Sequence, residues 1–127
     1  MFPKAMKVLL SIKPEFADKI FSGEKKYEFR RIIFKNKDVT TVVVYASSPV
    51  QKVIGEFEIE AILTDDIHAL WERTKEHAGI SGEFFYTYFS DKVKGHAIQI
   101  KQARRYPKPL CIKKDFAAVP PQSFLYL

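Results

Sequence analysis

In the stretch SGEKKYEFRR, residues 22–31, Glu28 stands among Lys25, Lys26, Arg30 and Arg31. Tyr27 and Phe29 alternate with Glu28 and Arg30, the period of a β-strand with one apolar face. Residues two apart on a strand point to the same side, about 7 Å from one another, so Glu28 and Arg30 can pair or can frame one ligand. Lys25 falls at a helix-to-strand turn, where a reversal at Gly23 can aim it over the mouth of a barrel. A lysine near a carboxylate in a partly desolvated mouth is a base if its pKa falls and a phosphate clamp if it stays charged. The same spacing also fits an exposed strand face with a cross-strand salt bridge.

Other chemistry is poorly supported. His68, His77 and His96 are far apart, and none stands in ligand spacing with Cys111 or a carboxylate, so no metal site is expected. There is no glycine-rich phosphate loop, nucleophile elbow or serine-triad signature, and no cofactor is expected. The single Cys111 excludes an internal disulfide and a multi-cysteine zinc site, which makes a reducing cytoplasm the expected compartment. The apolar runs are too short for a membrane span, and the N-terminus lacks the pattern of a secretory signal.

These groups need a scaffold, and 127 residues with 46% hydrophobic and 28% charged side chains suffice for one globular domain. Charge is unevenly distributed along it. Residues 1–37 hold ten Lys or Arg against four acids, residues 38–91 three against ten, and residues 92–127 eight against one, giving net charges of +6, −7 and +7. If the two ends of the chain share a sheet, their cations form one basic face suited to a polyanion, with salt-dependent binding. A solubilising surface of scattered lysines is the plainer alternative.

The pattern predicts a first strand at MKVLLSIK and a helix from Pro14, whose fixed φ suits the first helical position, to the cap at Gly23. KKYEFRRIIF is the second strand. A turn at NKD precedes VTTVVVYA, rich in β-branched residues, and KVIGEFEIEAILT alternates Val53, Gly55, Phe57, Ile59 and Ala61 against Glu56, Glu58 and Glu60. Gly55 marks a bulge or bend. Asp65 and Asp66 are caps for a helix to about His77, and Ser81 caps an aromatic-rich one, GEFFYTYFS. KGHAIQIKQARRYP is the last long strand. The proline-rich tail is expected to be extended or irregular. The fold class is α+β, mainly β: a small closed or nearly closed barrel of five to six mostly antiparallel strands with two to three short helices.

LLSIKPEFADKIFSGEKKYEFRR resembles the opening signature of the ASCH family, PUA-like β-barrels whose motif G-x-K-x-x-E-x-R is matched at Gly23, Lys25, Glu28 and Arg30. YASSPVQKVIGEFEI and GHAIQIKQARRYPKPL fit its central and closing strands. The resemblance covers nearly the whole chain and is greatest to small stand-alone bacterial, archaeal or phage members, some described as transcriptional regulators. It implies a cleft beside the first helix that binds RNA or a nucleotide-like ligand. Some small relatives hydrolyse acetylated cytidine with a lysine, a threonine and a glutamate, and others are ribonucleases. Lys25 matches that lysine, Glu28 stands where the threonine would be, and the glutamate would be Glu56 or Glu58.

Three functional readings follow. The first is a binding module for RNA, single-stranded nucleic acid or a nucleoside-like molecule, acting in transcriptional or translational regulation. Lys25, Arg30 and Arg31 would meet phosphates, Arg104 and Arg105 would extend the basic face, and Tyr27 or Tyr45 would stack a base. Glu28 would accept from an exocyclic amine or a ribose hydroxyl, and Ser47 and Ser48 would line the rim. The second is a cofactor-independent amidohydrolase or ribonuclease, with Lys25 and Glu28 as its proton-transfer pair. The third is a scaffold without a site. Oligomeric state is not legible.

Overall fold

The computed structural model describes residues 6–127. Residues 1–5, part of the N-terminus judged to lack a secretory pattern, lie outside them. One six-stranded sheet holds β1 (Met6–Ile12), β2 (Tyr27–Arg30), β3 (Val39–Ala46), β4 (Lys52–Asp66), β5 (Lys94–Leu110) and β6 (Leu125–Tyr126). Their order across the sheet is β2-β5-β4-β3-β1-β6, and every pairing is antiparallel except β1 with β3. Four short helices accompany it: α1 (Pro14–Ser22), α2 (Ile67–Thr74), α3 (Gly82–Tyr88) and α4 (Ile112–Phe116), with a 3₁₀ turn at Lys75–His77. This is the mainly β, α+β architecture expected from the pattern. Among the described residues, no helix is long and apolar enough to cross a membrane.

Local chemistry accounts for most boundaries. α1 opens at Pro14, carries Glu15 in its first turn and Lys19 in its last, and stops at Gly23, whose φ of +86° closes the left-handed cap. The Asp66 carboxylate accepts from the Ala69 amide at 2.9 Å to start α2, and the Ser81 hydroxyl accepts from the Phe84 amide at 3.0 Å to start α3. Asp65 instead pairs with Arg73. The β4–β5 register shifts between Val53 and Gly55, where a bulge or bend was expected.

Two expectations need correction. The second strand ends at Arg30 and does not run on to Phe34. Its partner β5 begins at Lys94 and the pairing reaches only Arg30 with His96, so the ladder runs out almost at once. The tail is also more ordered than its prolines suggested. Asp115 accepts from the Cys111 amide at 2.8 Å, and Ile112 is buried against the sheet, which together form α4.

The core has three parts. One lies between α1 and the sheet and includes Val8, Leu10, Ile20, Val42, Val44 and Phe57. A second, under α2 and α3, contains Phe29, Leu70, Phe85 and Phe89. The third, on the other face of β1 and β3, joins Leu9, Val43, Tyr45 and Val53 to Ile112. Apolar residues therefore run without alternation along β1 and β3 because both faces are covered.

β2 and β6 are the two ends of the strand order, and one side chain of β2 spans the seam between them. The Arg30 guanidinium donates to the Ser11 carbonyl of β1 at 3.3 Å and to the Ser123 carbonyl, just before β6, at 2.7 Å. Beyond β2, the amides of Lys35 and Asn36 donate to the Tyr126 hydroxyl. The barrel is thus closed at this seam by side chains.

Candidate functional site

Lys25 is held from both sides by its backbone. Its amide donates to the Lys19 carbonyl at 3.0 Å and the next amide, of Lys26, donates to the His77 carbonyl at 2.9 Å. With the turn at Gly23, this directs the side chain inward, where it is only 2% exposed. Nζ donates to the Ala78 carbonyl at 2.8 Å and lies 4.7 Å from the centre of the Phe29 ring and 5.6 Å from that of Phe16. Burial is the main reason the pKa falls from 10.5 to about 8; the Glu28 charge opposes the fall and Lys19 adds to it.

The floor under this lysine is Gly79, whose φ is +69°. A Cβ there would stand 2.5 Å from Lys25 Cβ and 2.6 Å from its Cγ. Gly79→Ala is therefore expected to cost about 2 kcal/mol, combining left-handed backbone strain with displacement of the lysine. Urea unfolding measures that loss. In the same variant, a less buried Lys25 should titrate nearer 10.5, as followed by NMR at its Cε. An unchanged Lys25 titration would show that Gly79 does not set its depth.

Glu28 is 6% exposed, and Arg30 pairs with its carboxylate at 3.3 Å. The β-strand spacing brings these two groups together, and the two seam carbonyls hold the guanidinium in place. Lys25, Glu28 and Arg30 line one cleft of about 330 Å³. Lys13 also lines it, so three cations face one acid. One wall is aromatic: Phe84 lies edge-on to Phe16 at 5.2 Å and stacks on Tyr88 at 6.5 Å. The Tyr88 hydroxyl donates to the Phe29 carbonyl, and burial raises its pKa. Such a hollow can take a flat ring against the wall and an anionic group against the cations.

Lys13, Phe16, Phe84, Tyr88 and Gln122 were not anticipated at the cleft. The aromatic richness of residues 82–90 was the available signal for two of them, but its placement depends on tertiary packing.

Other candidates lie elsewhere. Tyr45 is 4% exposed within the third core cluster and has no free face for a base, because α4 covers that side of β3. Tyr27 packs beside Phe29 and outside the cleft lining. Ser48 is exposed, and the Ser47 amide donates to the Ile12 carbonyl; neither lines the cleft. Arg31 pairs with exposed Asp91. Arg104 pairs with Glu56 at 3.4 Å and Arg105 with Asp18 at 3.1 Å, both outside the cleft lining. Glu56 is engaged by Tyr106, Lys7 and Arg104, while Glu58 is exposed, so neither supplies the cleft with a second carboxylate. Among the described residues, no three His, Cys, Asp or Glu side chains are grouped as a metal would require.

Known proteins resemble this chain in sequence, and a solved structure resembles it in fold. A chain from Zymomonas mobilis called ASCH domain-containing ribonuclease is 34% identical over 128 residues, covering 98% of this chain and 86% of that one. The large ribosomal subunit protein uL22 of Ureaplasma parvum is 31% identical over 121 residues, 94% of this chain, which spans only 39% of that relative's length. The crystal structure of ASCH from Zymomonas mobilis superposes with a TM-score of 0.87 at 32% identity, covering 95% of this chain and 87% of that one. The family model described as the ASCH domain matches residues 10–108, a span that contains Gly23, Lys25, Glu28 and Arg30, and by that match the chain belongs to the ASCH domain family.

Proposed function

We propose that this chain binds single-stranded RNA and seats one nucleotide unit in the cleft of Lys25, Glu28 and Arg30. The observation that carries the reading is the almost fully buried Lys25, turned into a hollow where cations outnumber acids. Burying an ammonium is costly, and an anionic ligand repays part of that cost. The aromatic wall suits a base, because unpaired bases are recognised by stacking. Glu28 is placed to accept from a base amine or a ribose hydroxyl. The Zymomonas relative's name, a ribonuclease, supports an RNA ligand. Bound without cleavage, such a ligand would make the chain a regulator of transcription or translation.

The test is fluorescence anisotropy with short single-stranded RNA over a salt series. Log affinity should fall against log salt with a slope of about 0.7 per phosphate contacted. Lys25→Met, which keeps the apolar stem, should weaken binding about tenfold or more while the circular dichroism spectrum is unchanged. Salt-independent binding, or a Lys25→Met protein that binds like the wild type, defeats the proposal.

A second reading, RNA cleavage, is favoured by the lowered Lys25 pKa of about 8. A neutral Lys25 amine would take the proton of a ribose 2′-hydroxyl as its oxygen attacks the adjacent phosphorus. The P–O5′ bond would break, the 5′-oxygen leaving as a hydroxyl with a proton from water and a 2′,3′-cyclic phosphate remaining, and Arg30 would face the charge developing on the phosphoryl oxygens. This reading requires product from RNA with the wild type and none with Lys25→Met.

A further inference from the structure

The cleft does not end at Arg30. A second compartment of about 350 Å³ adjoins it and shares Arg30, Tyr88 and Gln122 with the first. Its remaining lining includes Arg31 and Lys92, so three cations face it and no carboxylate does. Arg30 uses three of its five N–H groups, toward Ser11, Glu28 and Ser123, and two have no partner among the described residues. Lys92 makes no ion pair among the described residues. The Arg31 partner, Asp91, is exposed, and an ion pair in water yields readily to a better anion. The two compartments therefore differ in chemistry: the first has aromatic walls and an acid, and the second has three cations, no acid, and Ile32, Tyr88, Gln122 and Ser123 completing its lining.

We infer that the second compartment is a phosphate subsite, in which Lys92, Arg31 and the outer side of Arg30 hold the phosphate attached to the nucleoside in the first. This inference rests on the first cleft being a nucleotide site. It adds that the ligand is recognised as a phosphorylated unit spanning both compartments, with Arg30 shared between them and Tyr88 at the divide. Arg30 cannot be the discriminating probe, because it belongs to the first site and to the fold. Lys92 is exposed and serves neither.

The experiment is titration calorimetry with the four ribonucleosides and their 5′- and 3′-monophosphates, using the wild type, Lys92→Gln and the double variant Arg31→Gln/Lys92→Gln. At least one nucleoside should bind weakly, and one of its monophosphates about tenfold or more tightly. Lys92→Gln should reduce that gain and the double variant should remove most of it, leaving what Arg30 supplies, with nucleoside affinity unchanged within about twofold. If a nucleoside binds but neither monophosphate binds more tightly, the phosphate subsite is wrong and the cleft reading stands. The subsite is equally wrong if the gain survives undiminished in the double variant. If no nucleoside or nucleotide binds at all, the cleft reading fails and takes the subsite with it.

Discussion

Replacing Arg30 by alanine is expected to destabilise the protein by about 3–5 kcal/mol, the cost of leaving one member of a buried ion pair without its partner. The Glu28 carboxylate and the Arg30 guanidinium have only 8% and 11% of their side-chain surface exposed, so solvent replaces the missing group only in part. The same change removes the donors to the carbonyls of Ser11 and Ser123, which join β2 to the opposite end of the strand order. Against a typical total of about 5–15 kcal/mol, that loss is large enough to shift the urea midpoint strongly. Arg30→Ala combined with Glu28→Gln removes the stranded charge and should be less destabilised than Arg30→Ala alone, the sign of coupling a double-mutant cycle detects. A loss below about 1 kcal/mol for Arg30→Ala would place the pair in water and remove the case for a side-chain seam.

That seam shows where the sequence was informative and where it was not. Val39–Ala46 was legible to the residue because its β-branched run has one good conformation and polar breaks on each side. Asp66 and Ser81 were legible as caps because capping is local chemistry. α4 was not, because it depends on Ile112 covering Leu9 and Tyr45, far away in the chain. The β-branched run VTTVVVYA announced a strand but not that both of its faces would be covered. This is also why Tyr45 looked available for a base: strand parity assigns a side, and here neither side is open.

The site divides in the same way. Lys25, Glu28 and Arg30 belong to one turn and one strand, so their spacing told which groups share a side. The cations of β5 were legible as charges but not as partners. Arg104 and Arg105 are engaged by Glu56 and Asp18, contacts set by strand register and the position of α1. Phe84, Tyr88 and Gln122 come from α3 and the tail, and no local pattern links them to Lys25. Gly79 is the clearest omission. In the sequence AGISG it reads as a helix stop, and only the packing shows that its missing side chain makes room for the lysine stem.

The stability of the wild type relative to Lys25→Met should rise by on the order of 3 kcal/mol as pH increases from about 8 to 10.5, because Lys25 is depressed from 10.5 to about 8 by burial. The sign follows from proton counts. Between those values the unfolded chain holds a proton on Lys25 that the folded chain has released, so raising the pH favours the fold. Stability from this residue is complete above 10.5 and is lost as pH falls through 8. Tyr88 and Tyr106 titrate in the opposite direction, their raised values opposing stability above pH 10, but they are common to both proteins and cancel in the difference. Chemical denaturation at a series of pH values gives the curve, and a flat difference would mean Lys25 is as well solvated folded as unfolded. The same titration separates the two readings of the site. If Lys25 clamps a phosphate, RNA affinity declines as pH rises through about 8 and the ammonium is lost. If it is a general base, kcat/KM rises through that interval as the free amine appears. One ionisation thus drives the two activities in opposite directions, and the slope through pH 8 reports which of them the buried lysine serves.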